Sequence, residues 1–269
     1  MTIAERAAEA LQILRRETDA FLSTIGLLSE EQWSGPSVCE PWSIRQLTAH
    51  LIRQVDAYIG SVKVGMSGQA GEPESRQART ERMNQIASQP PSKITSDFRE
   101  TADQFERWFG DLTSQQLAIE GPHSHGPRSA EWFIEQRLME MAYHRLDLDR
   151  SLGRGTTLDE GTARFILPTL LELNVPAIVK RDGRGGDGSY LLRVGGEAGD
   201  GWLLRFGPGA LTTTRGSAGA AVTFTASAAD LGLMMYGRTT WQALESSGKL
   251  AVSGDRATAD RFHGQFGGP

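Results

Sequence analysis

The distribution of glycine constrains the fold of this chain most strongly, because glycine weakens helices and is required in many turns. Of the 31 glycines, nine lie in residues 1–152 and 22 lie in residues 153–269. The first part can therefore be mostly helical, whereas the second part must contain many turns. A chain of 269 residues is long enough for two ordinary domains. We predict these domains at 1–152 and 153–269, with GRGTTLD (153–159) as the linker.

The first part shows four stretches in which apolar residues recur at helical spacing. The predicted helices cover about 11–25, Ser43 to about residue 59, 93–109, and 129–151 with Ser129 at its start. The polar segment 60–92 is predicted to cross over between the second and third helices, with room for a short helix. Four helices joined by one long crossover form a four-helix bundle, which builds sites from side chains on facing helices.

The second part is predicted to be a small α+β domain with a largely antiparallel sheet. Its predicted elements are, in chain order, a hairpin of strands 189–194 and 201–207 around GGEAGD (195–200), a strand 221–226, a helix 227–237, a strand 249–254 and a short helix from Asp255. The predicted fold class is therefore a helical bundle followed by an α+β domain.

The charge balance and the single cysteine restrict the function classes. A formal net charge of −5 leaves no basic surplus to neutralise phosphates, which argues against a nucleic-acid partner. No stretch approaches the roughly 18 apolar residues of a membrane span, and the N-terminal stretch lacks a signal-peptide core. Cys39 has no second cysteine to pair with, which fits a reducing compartment. The sequence therefore predicts a soluble, cytoplasmic protein without a membrane partner.

Three residues on two predicted helices have side chains that bind metals. Glu140 precedes His144 by four residues, which places both on one face of the fourth helix. His50 lies on the second helix, and facing helices of a bundle could bring the three together. Two imidazoles and one carboxylate leave open positions on a divalent metal, as catalysis requires. Asp147 or Tyr143 could then orient an imidazole. The same spacing also fits an ordinary solvated Glu–His pair, so spacing alone leaves both interpretations open.

Two segments around these residues carry a family resemblance. PSVCEPWSIRQLTAHL (36–51) and RLMEMAYHRLDLDRSLG (137–153) resemble the signature helices of the mycothiol-dependent maleylpyruvate isomerase family, within the DinB-like superfamily. The C-terminal part is similar to the sterol-carrier-like domain of that family. The resemblance implies a DinB-like four-helix bundle over 1–152 and a sterol-carrier-like α+β domain over 153–269.

The resemblance also implies a chemistry. It implies that His50, Glu140 and His144 bind a divalent metal, most often Zn²⁺, and that the metal receives a low-molecular-weight thiol, typically mycothiol. A coordinated thiol loses its proton near neutral pH. The thiolate could add to an electron-poor double bond, permit rotation and leave, or attack an electrophile and stay. The expected protein is a metal- and thiol-dependent isomerase or S-transferase acting on a small electrophile.

Substrate-binding residues are also expected. The resemblance implies an arginine of the C-terminal domain that binds substrate carboxylates, and Arg238 matches best, with Arg205 second; a surface arginine is the alternative. His123 and His125 lie on the loop GPHSHGP (121–127), just before the fourth helix. His125 is a candidate proton shuttle or substrate contact. An exposed polar loop would explain these histidines equally.

Three further residues have structural interpretations. Cys39 is predicted to pack around the entry to the second helix, as an inert thiol. Trp42 is predicted to be a hydrophobic staple beside the Ser43 cap. His263 is expected to be structural or exposed.

Two other functions are compatible with the same residues. A thiol-independent metalloenzyme would use the metal as a non-haem iron centre or as a hydrolase with metal-bound water. A non-catalytic protein would instead hold an apolar ligand in its C-terminal domain.

Overall fold

The computed structural model describes residues 1–182, 186–195 and 201–265. The chain divides into two compact units, Met1–Thr157 and Leu158–Pro269. This division falls inside the predicted linker 153–159. The first unit is a helical bundle and the second an α+β domain, which confirms the predicted fold class.

The first unit contains seven described helices and one two-stranded sheet. In chain order these are α1 (Ile3–Ile25), α2 (Glu30–Ser34), α3 (Ile44–Ser67), α4 (Arg76–Ala87), α5 (Pro91–Gly110), α6 (Ser114–Leu117), β1 (Glu120–Gly121), β2 (Arg128–Ser129) and α7 (Ala130–Ser151). The long helices α1, α3, α5 and α7 are the four predicted from the sequence. Helix α3 continues well past residue 59, and α4 is the short helix expected in the crossover.

Capping residues explain where the two central helices begin. The Ser43 hydroxyl accepts a hydrogen bond from the backbone N–H of Gln46, whose side chain bonds back to the Ser43 N–H, a capping box that starts α3. Ser129 caps α7 more simply, since its hydroxyl accepts a hydrogen bond from the backbone N–H of Trp132. Helix α7 is buried on most of its surface and packs against α1 and α3. Its polar residues are therefore enclosed by neighbouring helices.

Close backbone contact holds β1 against α3. A Cβ atom on Gly65 would lie 2.2 Å from the carbonyl oxygen of Glu120, and one on Gly121 would lie 2.2 Å from that of Ser61. The Ser61 hydroxyl also donates to the carbonyl of Pro122. Only glycine permits this approach, which fixes the start of the loop that carries His123.

The second unit is built around a five-stranded sheet. Its elements are α8 (Glu160–Thr169), a π-helical turn (Leu170–Asn174), α9 (Val175–Asp182), β3 (Gly188–Val194), β4 (Gly201–Gly207), β5 (Ala210–Gly216), β6 (Val222–Ala226), α10 (Ala228–Met235), α11 (Trp241–Ser246), β7 (Leu250–Gly254), α12 (Arg256–Asp260) and a 3₁₀ turn (His263–Gln265). The strand order is β5-β4-β3-β6-β7. Strands β3 and β6 are parallel, whereas the other neighbours are antiparallel.

Most predicted elements of the second unit are confirmed, but strand β5, the helical run from α8 to α9 and helix α11 were missed. Strands β3, β4, β6 and β7 and helix α10 match the prediction; most of the predicted connection GGEAGD, 196–200, lies outside the described residues. Strand β5 was missed because its sequence, ALTTTRG, is largely polar and exposed. The helical run from α8 to α9 was also missed. It contains Pro168, and a π-helical turn interrupts it.

This helical run also corrects the expectation about apolar stretches. Among the described residues, Glu160–Lys180 is long and apolar enough to cross a membrane by length and composition. Of its most apolar window, 56% is buried inside the fold. A core helix of a soluble protein has the same composition, since it too must be apolar on its packed surface.

Gly65→Ala is expected to destabilise the first unit by about 1–3 kcal/mol, because the new methyl group would overlap the backbone of β1. The matched control is Gly60→Ala on the same helix, where an added Cβ meets nothing within 4 Å. Since alanine favours helices, this control should be neutral or stabilising by up to about 1 kcal/mol. Urea unfolding measures both, and equal stability of the two variants would contradict the close β1–α3 contact.

Candidate metal centre

The structure brings His50, Glu140 and His144 together at the α3–α7 interface. One ligand atom of each lies within 4.8 Å of the other two. Oε2 of Glu140 is 3.2 Å from Nε2 of His50 and 3.2 Å from Nε2 of His144. The side chains of His50 and Glu140 are 17% and 18% exposed, so the cluster is open to solvent on one side.

A buried carboxylate orients His144. Nδ1 of His144 donates to Oδ2 of Asp147 at 3.0 Å, and the Asp147 side chain is fully buried. This hydrogen bond fixes the orientation of the His144 ring, so that its other nitrogen, Nε2, faces Glu140. The Cys39 thiol donates to the same Asp147 oxygen at 3.0 Å and lies 3.8 Å from Nδ1 of His144. This corrects the interpretation of Cys39 as a packing residue, because its thiol bonds to the residue that orients His144.

The other two members of the cluster have partners of their own. The amide nitrogen of Gln136 donates to Oε1 of Glu140 at 2.8 Å, which leaves Oε2 facing the imidazoles. The amide nitrogen of Gln54 lies 3.0 Å from Nε2 of His50. The sequence interpretation missed both glutamines. Each lies four residues from its partner on the same helix, a spacing that could have indicated them.

Burial and hydrogen bonding shift the pKa values of all three residues. Burial lowers the pKa of His50 to about 4, although Glu140 opposes the shift. Burial raises the pKa of Glu140, but its hydrogen bond with His144 and the nearby imidazole of His50 outweigh burial and hold the pKa well below its usual value. Burial lowers the pKa of His144, but hydrogen bonds with Asp147, Cys39 and Glu140 outweigh it and raise the pKa well above its usual value. These shifts favour the ionised carboxylate of Glu140 and the charged imidazole of His144.

The donor set fits a small divalent cation. Ligands about 2.0–2.2 Å from a tetrahedral Zn²⁺ are separated by about 3.4 Å. The separations of 3.2 Å from Glu140 to His50 and to His144 are close to that value. Two imidazole nitrogens with one carboxylate suit zinc or iron better than magnesium or calcium. These three atoms could coordinate one cation and would leave its other coordination positions open to further ligands.

Each of the two units matches a known protein family. The family described as mycothiol maleylpyruvate isomerase N-terminal domain matches residues 14–149. The chain belongs to this family. The SCP-2 sterol transfer family matches residues 183–267, part of which lies outside the described residues. The second unit is accordingly a sterol-carrier-like domain, as the sequence resemblance predicted.

Solved structures support the family fold along most of the chain. The crystal structure of the mycothiol-dependent maleylpyruvate isomerase has a TM-score of 0.67 and 17% identity, covering 94% of this chain and 95% of that chain. A mutant of that isomerase has a TM-score of 0.68 and 18% identity, with the same coverage. At this identity the likeness shows a shared fold. A search of curated proteins gave no match.

In this member of the isomerase family, Trp42 lies beside the cluster. Its ring centroid is 4.9 Å from that of His50 and 6.4 Å from that of His144. The sequence interpretation assigned Trp42 to a hydrophobic staple and missed this position. An indole against His50 restricts the ring of that residue and shields part of the cluster from water.

The histidine loop packs against the first turns of α7. The His123 ring lies 4.7 Å from the Trp132 ring and 4.9 Å from the His125 ring, and Nδ1 of His123 accepts the backbone N–H of His125. Burial lowers the pKa of His123 to about 3, and nearby His125 and Arg128 lower it further. His125 therefore lies in this loop, outside the three-residue cluster, and its predicted catalytic role stays a prediction.

The remaining candidates lie in the second unit. Arg238 follows α10 and is half-buried; its Nη1 donates to the carbonyl of Tyr236 at 3.0 Å. Arg205 is exposed on β4. Nε2 of His263 accepts the backbone N–H of Trp241 at the start of α11, which is the structural role considered from the sequence.

His123→Phe is expected to reduce the loss of stability between pH 7 and pH 5, while it keeps an aromatic ring against Trp132. Burial holds the pKa of folded His123 at about 3, below the ~6.5 of an unfolded histidine. Between pH 7 and pH 5, His123 therefore gains a proton in the unfolded chain but stays neutral in the folded protein. The contribution of His123 is therefore complete above about pH 6.5 and declines as the pH falls toward 3. Urea unfolding at both pH values gives the comparison. An NMR titration that places the pKa of His123 near 6.5 would contradict it.

Proposed function

We propose that this chain is a metal- and thiol-dependent enzyme of the isomerase type. His50, Glu140 and His144 hold a divalent cation, with Zn²⁺ as the first candidate, and a low-molecular-weight thiol of the mycothiol type is the cofactor. The observation that carries the proposal is the convergence of their three ligand atoms within 4.8 Å. Membership of the mycothiol maleylpyruvate isomerase family supports the thiol.

The surrounding residues prepare this centre for binding. A cation bound here would favour the deprotonated form of a coordinated thiol, which supplies a nucleophile for an electron-poor double bond. Asp147 holds the Nδ1 proton of His144 and so keeps its Nε2 directed at Glu140. The low pKa of His50 keeps this residue neutral near pH 7. Gln136 holds the other oxygen of Glu140, so that Oε2 is presented to the centre.

The proposed substrate is a small, carboxylate-bearing electrophile. Arg238 is the proposed carboxylate-binding residue, because a guanidinium binds a carboxylate through two parallel hydrogen bonds. His125 is the proposed residue for proton transfer or substrate contact. Isomerisation and S-transfer would both use the thiolate as nucleophile. In isomerisation the thiolate is released from the product, whereas in S-transfer it stays attached. Family membership favours isomerisation.

The proposed setting is the cytoplasm. A free thiol cofactor and a sequence with a single cysteine both suit a reducing compartment. The net charge of −5 supports small molecules over nucleic acid as partners.

The purified protein is expected to contain about one divalent metal ion per chain, and His144→Ala is expected to lose it, because a site with two remaining ligands binds weakly. Elemental analysis measures the metal, and circular dichroism confirms that the variant is folded. The matched control is His263→Ala, which removes a histidine outside the cluster and should keep the metal.

The identity of the metal separates the alternatives. Zinc supports the proposal, whereas iron with oxygen consumption would favour a thiol-independent redox enzyme. If the wild-type protein contains no metal, even after metal is added during expression, the proposal is wrong and the ligand-binding alternative is favoured.

Turnover of an electrophile that resembles maleylpyruvate is expected to require added thiol. Arg238→Gln should raise KM by about 10–100-fold with a smaller change in kcat, since a charged hydrogen bond to substrate contributes about 1.5–3 kcal/mol. Steady-state kinetics with and without thiol measure both effects. Arg205→Gln is the control and should leave KM unchanged. A larger effect from Arg205 than from Arg238 would reassign the carboxylate-binding residue.

A further inference from the structure

A fully buried arginine lies one turn before Glu140 on α7. Arg137 is 1% exposed, and burial lowers its pKa to about 10, so it remains charged at neutral pH. Its Nη1 donates to the carbonyl of Leu51 at 2.7 Å and to Oε1 of Gln54 at 3.1 Å. Nη2 is buried without a hydrogen-bond partner among the described residues. A buried cation that bonds to neutral groups is costly for stability, which points to a role in function.

The contact with Arg137 fixes the orientation of the Gln54 amide. An arginine nitrogen can only donate hydrogen bonds, so the amide atom that faces it must be the oxygen. The amide nitrogen of Gln54 must then be the atom 3.0 Å from Nε2 of His50. Without Arg137, either end of the amide could face the imidazole, because the two ends are nearly the same size.

The orientation of this amide in turn selects the tautomer of His50. An amide nitrogen is a donor, so Nε2 of His50 must accept and carries a lone pair. The proton of the neutral imidazole is therefore on Nδ1. Nε2 is also the atom that faces Oε2 of Glu140 at 3.2 Å, so a lone pair and a carboxylate oxygen face each other with no proton between them. These two electron-rich atoms repel each other, and a cation bound between them would make the contact favourable.

Arg137 also links the two helices that carry the cluster. It lies three residues before Glu140 on α7 and bonds to the residues one and four positions after His50 on α3. The same side chain therefore fixes the position of α3 relative to α7 and, through Gln54, the state of His50.

We propose that Arg137 is a positioning residue for the candidate metal centre, and that through the Gln54 amide it holds His50 in the tautomer whose Nε2 lone pair faces Glu140. The metal-binding half of this inference rests on the proposed function, whereas the tautomer is a property of the metal-free protein. A cation bound to Nε2 of His50 would replace the hydrogen bond from the Gln54 amide, because the single lone pair of Nε2 can accept a proton or bind a cation but not both.

The test compares Arg137→Met and Gln54→Met with the wild-type protein. Nitrogen-15 NMR of the metal-free proteins at pH 7.5 reports which imidazole nitrogen of His50 carries the proton. The wild type should show protonated Nδ1, and both variants should show protonated Nε2 or a mixture. Zn²⁺ titration against a competing chelator should show affinity about 10–100-fold weaker in Arg137→Met, the usual effect of losing a residue that orients a ligand.

The control is Arg6→Met, which removes an arginine that pairs with Glu135 across the α1–α7 interface. It should lower stability but keep the tautomer of His50 and the Zn²⁺ affinity within about twofold, as expected for a residue that does not orient a ligand. Gln54→Met preserves the Arg137–Leu51 bond and serves if Arg137→Met does not fold. An unchanged tautomer in the folded variants overturns the inference. Failure of the wild type to bind Zn²⁺ would overturn the proposed function, while the tautomer measurement still decides the role of Arg137.

Discussion

The placement of the Glu140 carboxylate between two imidazoles is the interaction on which the rest of the first unit depends. A largely buried carboxylate is tolerated only when its oxygens are hydrogen-bonded or paired with positive charge. Oε2 faces His50 and His144, and Oε1 accepts from Gln136. This requirement fixes α3 against α7, because one imidazole comes from each helix. The Ser43 capping box and the glycine contacts of α3 with β1 keep that helix in place.

Each member of the cluster is held by a different neighbour. Asp147 orients His144 and is itself bonded by the Cys39 thiol, while Gln54 contacts His50 and is held by Arg137. A site whose ligands are fixed before a metal arrives loses less conformational entropy on binding. The partial exposure of His50 and Glu140 leaves one side open, which suits a centre that must admit a thiol and a substrate. The family assignment is consistent with this arrangement.

Much of the fold could be predicted because it follows from local patterns. Apolar spacing located the four long helices, Ser43 and Ser129 marked the starts of α3 and α7, and two apolar runs around the glycine-rich GGEAGD located β3 and β4. Strand β5 was missed because its polar sequence packs at the edge of the sheet. The run from α8 to α9 was missed because Pro168 and a π-helical turn interrupt the regular helical pattern. The four-residue spacing of Glu140 and His144 predicted their shared face, and the expectation that the second and fourth helices face each other added His50, which the resemblance then supported.

The sequence by itself therefore determined the two-part organisation, the capped helices and the residue types at the centre. Only the tertiary structure decided which atoms meet. It placed Trp42 against His50, the Cys39 thiol on Asp147, and Arg137 on Gln54. The physical reason is that spacing along the chain fixes the face of one helix, since the helical period is constant. Contacts between helices depend on their relative rotation and translation, which are set by packing over the whole interface.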